Sequence, residues 1–157
     1  MLICLSQLNN QESTMLNVNE QKICEVLDKI IAHELAGVSR YTHYALMVSG
    51  LARFSLVSYF KTHASESLDH AIKAGELMTG LNGHPSMRAI EIKESNQHDL
   101  KTILAESIEH ETKAAGLYHE LLTEVADKSV YLEEYARTMI GSEEEHVLDM
   151  RKVARNL

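Results

Sequence analysis

The sequence predicts an all-α protein: an antiparallel four-helix bundle with one long crossover between the second and third helices. Three observations carry this. Only one proline, Pro85, and seven glycines interrupt 157 residues, so long helices are favoured over many short strands and turns. Apolar residues recur at three- and four-residue steps in four long stretches. The breaks between the stretches run short, long, short, which suits a bundle with a single crossover. Aromatic residues make up 5% and tryptophan is absent, which argues against a β-sandwich.

The first helix is expected over about residues 19–49, with the stripe Ile23, Leu27, Ile30, Glu34, Val38, Tyr41, Ala45 and Val48, and Gly50 closing it. The second spans about residues 54–81, with Leu56, Phe60, His63, Ser67, His70, Ala74, Leu77 and Leu81. A link of about residues 82–95, holding Gly83-His84-Pro85, leads to the third helix at about residues 96–127. Its stripe is Leu100, Leu104, Ile108, Glu111, Ala115, Tyr118, Leu122 and Val125, followed by a tight turn at Ala126-Asp127-Lys128. The fourth covers about residues 129–156, with Leu132, Met139, Glu143, His146, Met150 and Val153. Residues 18–157 form one domain on this reading, and the polar residues 1–17 form an irregular leader in which Met15 is an alternative start.

Composition narrows the function. The net charge of −8 argues against nucleic-acid binding, which needs clustered Lys and Arg. No apolar run reaches membrane-spanning length, and the opening Met1-Leu2-Ile3-Cys4-Leu5 lacks the basic start of a signal peptide. Cys4 and Cys24 make no disulfide or CxxC pattern, so a cytoplasmic protein is expected.

Three carboxylates and three imidazoles fall inside the apolar stripes: Glu34, His63, His70, Glu111, Glu143 and His146. A buried carboxylate without a partner costs several kcal/mol, and the stripes hold no Arg or Lys to neutralise three of them. Glu143 and His146 form Glu-x-x-His, a spacing that sets both side chains about 60° apart and one turn along, within reach of one ion. Glu34 and Glu111 are each followed seven residues later by a tyrosine, Tyr41 and Tyr118, on the same helix face. Glu34 precedes His70 by 36 residues and Glu111 precedes His146 by 35, a pseudo-repeat of helix pairs around one centre. The constellation predicts a metal site in the core. Oxygen donors with a minority of imidazoles suit iron or manganese better than copper, and the thiolates of structural zinc are missing.

These residues resemble the ferritin-like superfamily, and bacterioferritins most closely, over about residues 18–155. The carriers of the resemblance are Glu34…Tyr41, His70-Ala71 with the later Gly83-x-Pro85, Glu111, and Glu143 with His146. Rubrerythrins share the Glu-x6-Tyr and Glu-x-x-His units, but their rubredoxin-like cysteine pairs have no counterpart here. The resemblance implies ferroxidase chemistry at a site for two iron ions, with manganese or zinc as crystallographic substitutes and oxygen or peroxide as oxidant. It implies Glu34 and Glu111 as ligands to one ion each, Glu143 as a bridge, His70 and His146 as one imidazole per ion, and Tyr41 and Tyr118 as hydrogen-bonding partners of the carboxylates.

The sequence departs from the family in three places. The second-helix carboxylate should stand at position 67, which is Ser67. Glu66 is the first candidate to replace it as ligand and bridge, and His63 the second. The methionine that binds haem in bacterioferritins is replaced by Leu68, so no haem is expected. The sequence ends eleven residues after His146, without the family's short fifth helix. A homodimer is therefore expected, paired through the first two helices with Leu35, Tyr44, Leu51, Phe54 and Tyr59 on the partner surface. A 24-subunit shell is not expected, while a twelve-subunit cage remains open. His33, His43, His98, His110 and His119 are expected in solvent. Glu143→Ala and His146→Ala are each expected to abolish tight binding of one ion. The alternatives are a di-iron or di-manganese peroxidase or oxygenase of the rubrerythrin type, and a non-enzymatic helical interaction protein with a degenerate site.

Overall fold

The computed structural model describes residues 18–155 and residue 157, so the expected leader over residues 1–17 and Asn156 lie outside the described residues. Four helices account for the fold: α1 (Glu20–Met47), α2 (Arg53–Gly80), α3 (Leu100–Val125) and α4 (Val130–Ala154). Three have side-chain N-caps. Asn19 accepts from the Lys22 amide, Asp99 from Thr102 and Ser129 from Leu132, each satisfying a first-turn N–H that has no helical partner. The Asp99 cap explains why α3 starts at Leu100 rather than near Asn96. Asn96 itself has a left-handed backbone, φ 56°, which a helix cannot contain.

The short turns are equally local. Gly50, at φ 67°, reverses the chain between α1 and α2. The Arg53 guanidinium donates to the Val48 carbonyl at 2.9 Å and also reaches the Ala45 and Leu46 carbonyls. It places a cation on the negative end of α1. Asp127, at φ 59°, makes the turn into α4, and Glu133 accepts from its amide at 2.9 Å.

Two apolar clusters fill the bundle. One gathers Ile23, Leu27 and Ile30 of α1, Ala74 and Leu77 of α2, Tyr118 and Leu121 of α3, and Leu132, Ala136 and Met139 of α4. The other gathers Tyr41 and Tyr44 of α1, Phe60 of α2, Ile103 and Leu104 of α3, and Met150 of α4. Between them, by sequence position on every helix, lies a polar layer: Glu34, His63 to His70, His110 and Glu111, and Glu143 to His146. The order of the clusters along the chain fixes direction. α1 and α4 run one way, α2 and α3 the other.

Parallel α2 and α3 require a crossover spanning the bundle, roughly 40 Å for helices of this length. Residues 81–99 do this without helix or strand, after a turn at Leu81 and Asn82. The strap is fastened to α1 near its start, where Asp28 accepts from the Ser86 amide at 2.8 Å and pairs with the Arg88 guanidinium. Burial disfavours charge on Asp28, but the Ser86 N–H and Arg88 outweigh it and hold its pKa low. Among the described residues, no helix is long and apolar enough to cross a membrane.

Two expectations about exposure need correction. Tyr44 is buried, not on an open surface; its hydroxyl donates to Glu106 and accepts from Arg40. His33 and His110 are also buried, with rings stacked at 4.1 Å between centroids. They lie beside the central stripe, in the seam between α1 and α3. Helical periodicity marks the face turned to the bundle axis and misses positions buried by a neighbouring helix or a strap.

A candidate metal centre between two apolar cores

All four helices contribute to the polar layer. Glu34 comes from α1, His70 from α2, Glu111 from α3, and Glu143 and His146 from α4. Two groups of potential ligand atoms form there, Glu34–His70–Glu143 and Glu111–His146–Glu143. His70 Nδ1 lies 3.5 Å from Glu34 Oε1 and 3.1 Å from Glu143 Oε1. His146 Nδ1 lies 3.5 Å from both Glu111 Oε2 and Glu143 Oε2. Glu143 thus gives one oxygen to each half and is the residue common to both. It is 1% exposed.

The tyrosines tie the halves together crosswise. Tyr118 of α3 donates to Glu34 of α1 at 3.0 Å, and Tyr41 of α1 donates to Glu111 of α3. Because α1 and α3 are antiparallel, a tyrosine two turns beyond its own glutamate arrives level with the other helix's glutamate. Each hydroxyl occupies one lone pair of an outer carboxylate and orients the other oxygen inward. Burial and the adjacent carboxylate raise the pKa of both tyrosines, which keeps them as donors.

The charge state of the layer follows from its neighbours. Burial disfavours an imidazolium at His70, but Glu143 and Glu34 outweigh it and push the pKa up to about 10. Glu111 and Glu143 do the same for His146 against the same opposition, also to about 10. Burial works against charge on Glu143, yet His146, His70 and Glu111 pull its pKa down to about 2. Without metal, two protons on the imidazoles stand where two cations can bind. Glu143 Oε1 and His146 Nδ1 nevertheless have no well-directed hydrogen bond despite full burial. Buried polar atoms left this way are rare, and a donor set of three carboxylates and two imidazoles fits a pair of transition-metal ions.

The fourth carboxylate position behaves differently. Ser67 is buried against Gly37, and a Cβ on Gly37 would stand 2.7 Å from Ser67 Oγ and 2.6 Å from His110 Nε2. Glu66, one residue away and so turned by about 100°, sits 41% exposed on the seam between α2 and α4. Its Oε2 is 3.6 Å from His63 Nδ1 and 3.7 Å from His146 Nε2. His63, Glu66 and His146 therefore make a further potential ligand group, on the opposite ring nitrogen of His146 from Glu111 and Glu143. The two substitutes expected for position 67 come together, but beside the centre and not between its halves. A cavity of about 480 Å³ lined by Thr62, His63, Glu66, Glu145, His146 and Asp149 opens to this group.

The family model of the ferritin-like domain matches residues 24–157. The chain belongs to the ferritin-like family. Solved structures of the same fold include a ferritin-like, diiron-carboxylate protein from Bacillus anthracis str. Ames, at 23% identity and a TM-score of 0.81, covering 86% of this chain and 96% of that one. The bacterioferritin-related dodecameric thioferritin of Bacteroides fragilis aligns at 21% identity and a TM-score of 0.82, covering 90% and 91%. Desulfovibrio desulfuricans bacterioferritin, whose structure has a diiron site, aligns at 23% and 0.73, covering 87% and 80%. Comparison with curated protein sequences finds no match. Family membership supports iron handling by this ferritin-like chain, as do the potential ligand groups in its core.

Proposed function

We propose that this chain binds two Fe(II) ions in its polar layer and oxidises them with oxygen or peroxide, as a ferroxidase-type protein. The position of Glu143, shared by two Glu–His groups, carries the reading. Glu34, His70 and Glu143 hold one ion; Glu111, His146 and Glu143 hold the other. Tyr41 and Tyr118 keep the outer carboxylates aimed inward. Each Fe(II) gives up one electron, and an oxygen molecule accepting two electrons and two protons leaves as hydrogen peroxide. Three carboxylates do not neutralise two ferric ions, and this excess of positive charge favours release of the product over its retention. His63 and Glu66 line the route by which cations reach His146. Aerobic Fe(II) titration tests the reading. Two ions oxidised per chain in a fast phase are expected, and near-zero bound iron after loading would overturn it.

The basic unit of assembly is proposed to be a dimer formed through α1 and α2. Leu51 and Phe54, next to the turn between these helices, are 87% and 90% exposed; Leu68 and Ile72 of α2 are also exposed. Apolar groups gathered this way mark contact surfaces. A twelve-subunit cage built of such dimers, the number named for the Bacteroides fragilis relative, would add mineral storage to oxidation. Light scattering is expected to give the mass of a dimer or of twelve chains, and Phe54→Glu is expected to shift it downward. A wild-type monomer at micromolar concentration would overturn the proposal.

A further inference from the structure

We propose a second and separate metal site in this chain: His43, Glu94 and His98 bind one divalent cation of the zinc class and clip the end of the crossover strap to α1. His43 Nε2 stands 3.2 Å from His98 Nε2 and 3.3 Å from Glu94 Oε1. All three ligand atoms lie within 4.8 Å of one another. Zinc bound at its usual ~2.0–2.1 Å with tetrahedral angles separates neighbouring ligand atoms by about 3.3 Å, the spacing found at His43. A single proton cannot serve this geometry equally well. An imidazole nitrogen carries at most one hydrogen, yet His43 Nε2 faces both a second imidazole nitrogen and a carboxylate oxygen. One cation accepts all three lone pairs.

The chain is shaped to present the trio. Asn96, lying between Glu94 and His98, takes the left-handed conformation, φ 56°. This kink in the strap accompanies the approach of both side chains to His43. His43 is nine residues beyond Glu34 on α1, roughly 14 Å along the axis, with Tyr41 buried between them. The site is thus distinct from the core layer. Two imidazoles and one carboxylate suit a borderline cation and not Mg²⁺ or Ca²⁺, which take oxygen ligands. A cavity of about 270 Å³, bordered by the trio together with Arg40, Tyr44 and Glu106, leaves room for water at a fourth position.

The clip has a mechanical consequence. Asp28 fastens the strap at Ser86 and Arg88, and residues 90–93 then pass along a second cavity beside His33 and His110. A cation at His43 fastens the far end. It makes the order of the strap, and the cover over the α1–α3 seam, depend on metal.

Co(II) titration of the full chain provides the test, using a Glu143→Ala/His146→Ala background to remove the core ligands. One Co(II) per chain with the strong visible bands of four-coordination is expected there. Adding His43→Ala or the gentler His98→Gln is expected to weaken binding by about 100-fold or more, since loss of even a supporting partner costs ~10–100-fold. Zn(II) is expected to slow tryptic cleavage after Lys93 in wild-type protein and not in the His43→Ala variant. Unchanged Co(II) stoichiometry and spectrum in both clip variants, with circular dichroism showing them folded, would overturn the proposal. Fe(II) oxidation by the clip variants in an otherwise wild-type chain reads the core separately, so the two proposals fail independently.

Discussion

Glu143→Ala is expected to abolish tight binding of both ions, whereas His146→Ala abolishes one. On sequence spacing the two residues rank equally, as the two halves of one Glu-x-x-His unit. The structure separates them. Glu143 gives an oxygen to each ligand group, while His146 Nδ1 belongs to the group with Glu111. Losing a ligand costs more than the ~10–100-fold typical of a supporting partner, so affinity at each position falls by more than about 100-fold. The metal-free variant carries a second signature. With Glu143 gone, His70 and His146 lose a carboxylate that holds their pKa near about 10. Both are expected to titrate closer to the ordinary 6.5, visible in the ring-proton NMR shifts. One ion bound at wild-type affinity in Glu143→Ala, with unshifted histidines, would refute the shared-bridge assignment.

Metal binding is expected to release about two protons per chain at neutral pH. With pKa values of about 10, His70 and His146 are imidazolium ions at pH 7 in the metal-free protein, and a metal ligates only the neutral ring. Affinity for each ion therefore rises about tenfold per pH unit through the neutral range, levelling off near pH 10. Calorimetry in buffers of different ionisation heat checks the count; heats that do not vary with buffer would refute it. The same groups shape the stability of the metal-free chain. Folded pKa values raised above 6.5 contribute stability that is complete below pH 6.5 and is lost as pH rises through about 10. His63 and His110 act in the opposite sense. Burial lowers His63 to about 4 and His110 to about 3, each aided by a neighbouring histidine. Their contribution is present above pH 6.5 and is lost as pH falls from 6.5 towards these values. Among these four histidines, acid and alkali act from opposite sides of a stability maximum near pH 6.5.

Four helices, their short-long-short connections and the five carboxylate and imidazole positions of the polar layer were legible in the sequence because they obey local rules. Helical periodicity and breakers are read within a few turns of chain. A carboxylate or imidazole in an apolar stripe stands out because its burial is costly without a partner. Glu34, His70, Glu111, Glu143 and His146 were all found this way, and all five meet in one layer. What stands across the bundle from each of them could not be read locally. The tyrosine exchange, with Tyr41 on Glu111 and Tyr118 on Glu34, depends on the antiparallel register of α1 and α3. The displacement of Glu66 towards His63 depends on the rotation of α2 about its own axis, and Ser67 is enclosed because Gly37 allows close approach. His33, His110 and His43 looked like solvent positions because the groups that bury or engage them lie far off in sequence: His33 and His110 stack on each other across the α1–α3 seam, and Glu94 and His98 lie on the strap. A stripe of side chains records which face of a helix is buried. Only the packed chain decides what it is buried against, since that is set by contacts between residues whose separation in sequence carries no signal of their separation in space.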